Sequence, residues 1–338
     1  MAEKKLVKSS PVVGALLRAA FSACSRLPLR VTRAFGGGLG RLAGAVPNDL
    51  RKTTRMNLAW CFPEWTAEQR RRVARRSLVA TGRTVAETAA LLPRPPAALR
   101  RLEEGVEGEE LLTEALAGGR GVLILLPHLG NWEMLNPLLM ARSPFAALYR
   151  PPRHAELSRL VVAARERTGC TMIPATSSRG LRQVYRELAA GKPLVLLPDQ
   201  EPVRRSGVFA PFFGIPALTM TLPARLLRRL SVPVLFAYAL RTASGGFHYH
   251  LRPPPEGLDD PDPAVAAERL NLGVERCVRA CPEQYVWSYK RFKTRPPEEE
   301  RRLRVEGSTE GVRLYDRRRG LPPRPSPAGP SGPASRGR

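Results

Sequence analysis

One histidine, His128, has neighbours of the types that acid–base chemistry needs. It follows an apolar run and precedes Gly130, and Glu133 lies five positions further along the chain. A histidine in a turn can lie over the first residues of the next helix, where a carboxylate could bond one ring nitrogen and leave the other as a general base. The plainer alternative is a histidine at a strand end that makes a structural hydrogen bond.

The segments around this histidine alternate between helical periodicity and short apolar runs. Fully apolar strands are expected where helices cover both faces of a sheet. The chain is therefore predicted to be α/β, with a mainly parallel or mixed sheet flanked by helices and with His128 at a strand's carboxyl end, where such sheets form their crevice. The predicted strands cover residues 121–126, 145–149, 171–173, 193–197 and 232–240. The predicted helices lie near residues 107–117, 132–142, 154–168, 179–190 and 218–230.

Other segments have distinct local signals. Residues 66–69 (TAEQ) form a capping box that predicts a long arginine-rich helix to about residue 92. The glycines of residues 36–40 lack the context of a phosphate-binding loop and favour a flexible turn. The uncharged run at 206–224 carries Pro211, Gly214, Pro216 and Pro223 and is predicted to be a loop that leads into a helix. Residues 244–246 (SGG) predict a hairpin turn.

The charge is extreme, and it limits the class of partner. Lys and Arg number 55 against 30 acidic residues, a net charge of +25 spread along the chain. Such a field attracts nucleic acid, an anionic membrane, a phosphorylated substrate or an acidic carrier protein. Nucleic acid is disfavoured because aromatic residues are only 6% and no binding motif is present. A metal site is not indicated, because His154, His248 and His250 show no ligand spacing with His128.

The N-terminus carries a basic flank and then an apolar segment. Residues 11–29 are interrupted by Arg18, Arg26 and Pro28, which does not suit a membrane-spanning helix. An interfacial helix with snorkelling arginines is the favoured interpretation, and an ordinary packing helix or a cleaved signal are the alternatives. The five cysteines form no CxxC pair, which predicts a reduced, cytosol-facing chain.

Five segments taken together resemble one family. They are His128-x4-Glu133, residues 57–64 (NLAWCFPE), residues 149–151 (YRP), residues 197–200 (LPDQ) and the closing segment, residues 284–296 (QYVWSYKRFKTRP). Taken in chain order, they resemble the late lipid A acyltransferases, often called lauroyl/myristoyl acyltransferases, of the lysophospholipid acyltransferase superfamily. The closing segment is the most specific of the five.

The resemblance implies a glycerolipid-acyltransferase-like fold and an acyl transfer without metal or cofactor. A fatty acyl chain would move from acyl carrier protein to a hydroxyl of a phosphorylated lipid A precursor, with His128 as general base and Glu133 supporting the imidazolium. The site is expected on the cytoplasmic face of the inner membrane, on a peripheral or N-terminally anchored protein. The expected substrate-binding residues are Asn131, Arg150, Asp199, Lys290, Arg291 and Arg295.

Alternatives stay open for several of these assignments. Arg150 and Asp199 could equally form a structural ion pair, and a solvated basic face is the default for the charges of the closing segment. The acceptor could be a lysophospholipid or another glycolipid, since the His-x4-Glu motif is shared across the superfamily. The expected domains are an anchor region at 1–48, a catalytic domain at 49–297 and a disordered basic tail at 298–338.

Overall fold

The fold is built on a seven-stranded sheet with helices on both faces. The computed structural model describes residues 11–151, 155–167, 169–175, 178–299 and 315. The sheet has the strand order β1-β9-β8-β2-β5-β3-β4, and a separate two-stranded hairpin contains β6 and β7. The strands are β1 Glu103–Glu107, β2 Val122–Leu125, β3 Ala146–Tyr149, β4 Thr171–Pro174, β5 Pro193–Leu196, β6 Gly207–Phe212, β7 Ile215–Met220, β8 Val234–Arg241 and β9 Phe247–Arg252.

The sheet is mostly parallel, which confirms the predicted fold class. Within the described part of this sheet, only β8 and β9 pair antiparallel, through the hairpin predicted at residues 244–246. β2 lies between β8 and β5 and pairs with both in parallel, and all four of its residues are buried. The residues after β2, β5 and β3 therefore meet at one edge of the sheet, which is where His128, Asp199 and Arg150 are found.

Eleven α-helices flank or precede this sheet among the described residues. They are α1 Pro11–Arg26, α2 Leu29–Ala45, α3 Asp49–Cys61, α4 Ala67–Leu91, α5 Pro96–Arg100, α6 Glu109–Ala117, α7 Leu135–Met140, α8 Ala155–Glu166, α9 Ser178–Ala189, α10 Leu222–Leu230 and α11 Pro263–Ala280. The capping box of α4 is present, with Thr66 Oγ1 accepting from the Gln69 amide. Two buried clusters, one on each face of the sheet, form the core.

The prediction of a flexible turn at residues 36–40 is wrong. These glycines lie inside α2, where Gly36 and Gly40 are buried against α4. A Cβ on Gly40 would come within 2.3 Å of the Leu78 carbonyl oxygen, so the glycines permit direct backbone contact between the two helices. Packing between the helices, which no local pattern reveals, outweighs the low helix propensity of glycine.

The prediction of a loop over residues 206–224 and of a helix from residue 218 is also wrong. β6 and β7 form a hairpin there, and the helix begins only at Leu222. Pro211 and Pro216 pair with each other across the hairpin. A two-stranded ribbon has two free edges, so a proline that lacks an amide proton is tolerated. The turn contains Phe213 at φ 50° and Gly214 at φ 71°.

β1 was not predicted, because its sequence EEGVE is polar, as suits a strand at the sheet edge.

The two ends of the chain were expected to be an anchor region and a disordered basic tail. No helix in the described ranges is both long and apolar enough to cross a bilayer. The predicted disordered tail, 298–338, lies outside the described residues except for 298, 299 and Tyr315. Tyr315 is buried, and its hydroxyl donates to Asn57 Oδ1 at 2.7 Å.

Candidate active site

The centre of the site is a hydrogen-bonded pair, His128 and Asp199. His128 follows β2 and Asp199 follows the neighbouring strand β5. His128 Nδ1 lies 2.7 Å from Asp199 Oδ1, and the His128 backbone amide donates to Asp199 Oδ2 at 2.9 Å. Both oxygens of one carboxylate thus bind one residue, so the ring and the backbone of His128 are oriented together.

The charge of Asp199 determines which ring nitrogen of His128 is available for chemistry. Burial alone would raise the pKa of Asp199, but attraction to His128 and their hydrogen bonds hold it below its usual value, so the carboxylate is ionised. An ionised carboxylate only accepts, so Nδ1 carries a proton, and in the neutral imidazole Nε2 is then the nitrogen with the lone pair. Gln200 Nε2 lies 3.1 Å from that nitrogen and can donate to it. The His128 side chain is 17% exposed and Nδ1 is taken by Asp199, which leaves Nε2 as the ring nitrogen for a substrate that displaces Gln200.

Glu133 does not make the hydrogen bond to His128 that the motif predicts. Its carboxylate pairs with Arg165 of α8, whose Nε donates to Oε2 at 3.0 Å and whose terminal nitrogen binds Oε1. Burial would lower the pKa of Arg165, but the attraction and hydrogen bonds of Glu133 raise it above its usual value. A short 3-10 helix, Trp132–Met134, carries Glu133 away from the ring. Asp199 takes the position beside His128 that the sequence analysis gave to Glu133.

The loop that carries His128 is fixed from two sides. Gly130 has φ 65°, and a Cβ there would come within 1.9 Å of the Ala239 carbonyl oxygen on β8. The Gly130 amide donates to Gln284 O, and the Val286 amide donates to His128 O at 3.1 Å. The closing segment therefore binds the backbone of the histidine loop directly. On the other side, the positive φ and the close approach of Ala239 mean that only glycine fits at position 130.

A buried ionic cluster, which we name the Glu87 cluster, holds the next residue of this loop. It consists of Glu87 on α4, Arg33 on α2, Arg241 at the end of β8, and Asn131. Asn131 Nδ2 donates to Glu87 Oε2 at 2.8 Å, and Asn131 Oδ1 accepts from the Glu133 amide. The Glu87 side chain is fully buried.

This arrangement corrects the expected role of Asn131. The residue is fully buried, and both ends of its amide are used within the protein. Its side chain therefore shapes the loop from the interior, where a contact with substrate was expected. Nothing local in the sequence identifies Glu87 as its partner, because Glu87 lies in an ordinary helical pattern and 44 positions away.

The remaining predicted substrate residues lie in two different environments. Arg150 is exposed at the end of β3, on the same sheet edge as His128 and Asp199, and Lys290 is partly exposed near Asp49. Arg291 and Arg295, by contrast, are buried. Their guanidinium groups donate to backbone oxygens of β7, at 2.7 Å for Leu218 and 2.8 Å for Pro216.

The burial of Arg291 and Arg295 differs from the expected contact with substrate. Both fasten the closing segment onto the β6–β7 hairpin, which the sequence analysis did not predict. No group of three or more metal-binding side chains occurs within the part of the chain that the structure describes.

Comparison with known proteins bears on what this site does. Residues 4–294 match the family model described as bacterial lipid A biosynthesis acyltransferase. The chain is 30% identical to a lipid A biosynthesis lauroyltransferase of Escherichia coli over 275 residues, covering 80% of this chain and 88% of the relative. It is 29% identical to a lipid A biosynthesis palmitoleoyltransferase of Escherichia coli, again covering 80% of this chain and 88% of the relative. It is 27% identical to a lipid A biosynthesis myristoyltransferase of Escherichia coli, covering 77% of this chain and 80% of the relative.

The family match covers β2, β5 and the closing segment as far as Thr294, and so includes His128, Asp199 and Gln200. The relatives have names that differ in the acyl chain but share the reaction class. The chain belongs to the bacterial lipid A biosynthesis acyltransferase family, and it is an acyltransferase.

Proposed function

We propose that this protein transfers a fatty acyl chain from acyl carrier protein to a hydroxyl group of a lipid A precursor. The observation that carries the proposal is the His128–Asp199 pair at the sheet edge of a chain in this family. The relatives' names support lipid A as the acceptor class.

His128 acts as the general base in the proposed mechanism. The acceptor hydroxyl replaces Gln200 at Nε2 and gives its proton to that nitrogen as its oxygen attacks the thioester carbonyl carbon. The carbon–sulfur bond then breaks, and the proton passes from Nε2 to the leaving thiolate. The products are the acyl ester and the free thiol of the carrier, and no acyl-enzyme forms.

Asp199 stabilises the imidazolium that exists between these two proton transfers. Its carboxylate lies 2.7 Å from Nδ1 and is held there by the second bond to the His128 amide. Glu133 supports the reaction from further away, because its ion pair with Arg165 fixes the short helix that follows the histidine loop. Asp199 is therefore the carboxylate proposed to assist His128 directly.

The anionic groups of both substrates fit the charge of the protein. A phosphorylated glycolipid and an acidic carrier protein are attracted by a net charge of +25. Arg150 is exposed at the sheet edge that holds His128, which suits a phosphate contact because a guanidinium binds phosphate through two hydrogen bonds. Lys290 and Lys293 supply further positive charge on the closing segment.

The proposed location is the cytoplasmic face of the inner membrane, with a peripheral or N-terminal attachment. In this proposal residues 1–48 associate with the membrane and residues 49–297 form the catalytic domain. Residues 298–338 form a basic tail.

The test is an acyl-transfer assay on the purified full-length protein. Acyl carrier protein loaded with a fatty acid and a lipid A precursor lacking the secondary acyl chain are incubated together, and the lipid product is analysed by mass spectrometry. We expect a mass increase of one acyl chain on the lipid A precursor, absent with His128→Ala. Transfer to a lysophospholipid or another glycolipid, with none to the precursor, would contradict the proposed acceptor.

A further inference from the structure

One helix near the N-terminus exposes an unusual line of large apolar side chains. The line begins at Leu27, continues along α2 at helical spacing, and ends at Val46. Its exposed fractions run from 43% to 66%. The residues of this apolar stripe are Leu27, Val31, Phe35, Leu39, Leu42 and Val46. At 1.5 Å per residue the stripe is about 30 Å long, longer than scattered surface leucines explain.

The orientation of the apolar stripe is fixed by the opposite side of α2. Gly36 and Gly40 touch the backbone of α4, where an added Cβ would come within 2.5 Å of the Gly82 oxygen and 2.3 Å of the Leu78 oxygen. A helix packed this closely cannot rotate to bury its other face. The stripe therefore faces away from the protein because the glycines face towards it.

Positive charge lies beside the apolar stripe and at its end. Arg30 and Arg41 are exposed and each precedes a stripe residue, so they lie about 100° around the helix from it. A group of four arginines on α3 and α4, which we name the arginine cluster, continues beyond α2. Its members are Arg51, Arg55, Arg71 and Arg75.

The arginine cluster lies next to the end of the stripe. Arg51 donates to the Ala45 carbonyl oxygen at 2.7 Å, which joins the cluster to the last turn of α2. Partial burial and then repulsion from the other three arginines lower the pKa of Arg55. Arg75 pairs with the exposed Glu68 at 3.3 Å, so one carboxylate faces four guanidinium groups and the cluster keeps a net positive charge that attracts an anionic partner.

We propose that the apolar stripe and the arginine cluster together form the surface by which this protein lies on an anionic lipid bilayer. The inference deepens the membrane location of the proposed function by naming the surface. α2 would lie in the plane of the interface with Phe35 and its neighbours among the acyl chains, and the arginines would reach the phosphate headgroups.

Other occupants fit the observations less well. Residues 1–10 contain three lysines and few large apolar side chains, and residues 300–338 are rich in arginine, proline and glycine. Both segments carry a net positive charge and would bring more of it to the arginine cluster, so neither satisfies the stripe and the arginines together. An acidic protein would satisfy the arginines but leave the stripe in water. A lipid surface satisfies both features at once.

α1 offers a contrast within the same region. The exposed line that precedes Leu27 at the same spacing contains Ala15, Ala19 and Ala23. Alanine gains much less than phenylalanine or leucine on entering an apolar phase, because it has less surface to bury. On the side chains that the structure describes in the two helices, the attachment is therefore assigned to α2 in preference to the segment 11–29 that the sequence favours.

The Glu87 cluster links the proposed membrane surface to the catalytic loop. Arg33, on the inner side of α2, binds Glu87, and Glu87 binds Asn131 three residues after His128. Attachment through α2 would therefore hold the His128 loop in a fixed position relative to the lipid, where an acceptor embedded in the membrane is available.

The test is flotation of the full-length protein with phosphatidylcholine vesicles that contain or lack phosphatidylglycerol. The triple variant Phe35→Ser, Leu39→Ser, Leu42→Ser should reduce partitioning by about a hundredfold. The double variant Arg55→Gln, Arg71→Gln should reduce partitioning onto vesicles that contain phosphatidylglycerol by about fivefold for each arginine removed. This reduction should be seen at low salt and disappear at high salt, because salt screens the charges. The control is Val203→Ser, a change of another exposed apolar side chain outside α2, which should leave partitioning unchanged.

Two results would overturn the inference. One is wild-type flotation of the triple variant when its unfolding temperature is unchanged. The other is a dimer in light scattering that the triple variant converts to a monomer, since a second copy would then cover the stripe. Flotation needs no catalysis, so it separates this inference from the proposed function. A variant that fails to float but still acylates a detergent-dispersed acceptor supports both.

Discussion

Asp199 and Glu87 are two buried carboxylates that bind the same short loop, but their partners differ in kind. Asp199 binds the imidazole of His128, a group that can gain and lose a proton near neutral pH. Glu87 binds Arg33 and Arg241, whose guanidinium groups stay charged at every working pH. The first arrangement suits proton transfer, and the second suits a permanent position.

The contrast indicates how buried charge is divided around the site. Asn131, held by Glu87, and His128, held by Asp199, are three residues apart. Breaking the Glu87 cluster should therefore mainly lower the stability of the protein. Breaking the His128–Asp199 pair should mainly lower turnover.

Removing His128 should give the largest effect. His128→Ala deletes the proposed base, and a general base contributes roughly 10²–10⁴-fold in rate. The residue 128 backbone amide still donates to Asp199 in the variant, so the buried carboxylate keeps one partner and the protein should stay folded. Turnover with acylated carrier protein and the thermal midpoint are measured on the same preparation. Near-wild-type turnover in a folded variant would remove His128 from the mechanism.

Removing the charge of Glu87 should lower stability instead. Glu87→Gln leaves Arg33 and Arg241 buried without their carboxylate, and breaking a buried ion pair costs about 3–5 kcal/mol. The control is Glu68→Gln on the same helix, whose pair with Arg75 is exposed and should contribute less than about 1 kcal/mol. Denaturant unfolding measures both. Equal losses from the two variants would show that burial adds nothing to the Glu87 cluster.

The Glu87 cluster also predicts a pH dependence. Burial would raise the pKa of Glu87, but attraction and hydrogen bonds from Arg241 and then Arg33 hold it below its usual 4.5. A carboxyl with a depressed pKa contributes stability above the unfolded-state value, and that contribution disappears as pH falls through the folded-state value. The free energy of unfolding should therefore fall less steeply below about pH 4.5 in Glu87→Gln than in the wild type. Parallel curves would contradict the depressed pKa.

The two carboxylates proposed to assist His128 should separate in turnover. Asp199→Asn keeps the shape but removes the charge beside Nδ1, and we expect a loss of about a hundredfold in kcat with little change in KM. Glu133→Gln weakens an ion pair with Arg165 and should lower the unfolding temperature more than Asp199→Asn does. If Glu133→Gln lowers kcat more than Asp199→Asn while stability is unchanged, Glu133 is the direct partner of the base.

The sequence carries much of this site because its elements are local. The apolar run before His128, the turn at Gly130 and the residues LPDQ after another apolar run place His128 and Asp199 at neighbouring strand ends. Strand pairing then decides which carboxylate meets the ring, and pairing is a long-range property. The spacing from His128 to Glu133 predicted the wrong partner because the short 3-10 helix takes Glu133 to Arg165.

The errors in the fold have a common physical cause. Glycines at residues 36–40 and prolines at 211 and 216 disfavour regular structure in isolation. In the fold, Gly36 and Gly40 permit contact between α2 and α4, and the two prolines pair across a ribbon with free edges. A tertiary contact that requires such a glycine or proline outweighs the local propensity of that residue. No pattern in a single sequence identifies that contact.

The smallest effects are expected in the closing segment, where adjacent residues repeat the contrast between exposed and buried charge. The Lys290 side chain is 40% exposed, and its Nζ lies 4.0 Å from Asp49 Oδ2. The Arg291 guanidinium instead donates in the interior to Leu218 O, Thr219 Oγ1 and Asn271 Oδ1. Lys290→Glu should leave the unfolding temperature almost unchanged, since exposed pairs contribute about 0–1 kcal/mol.

Kinetics should distinguish these two side chains further. Lys290→Glu should raise the KM for the acidic donor severalfold at low salt and less at high salt, because salt screens exposed charges. Arg291→Ala should lower the free energy of unfolding by about 1–3 kcal/mol through the buried carbonyl oxygen that loses its donor. Both kinetic constants and unfolding curves are measured for each variant. A salt-independent KM change in Lys290→Glu would mean that Lys290 acts through the fold and not through the charge that it presents to a substrate.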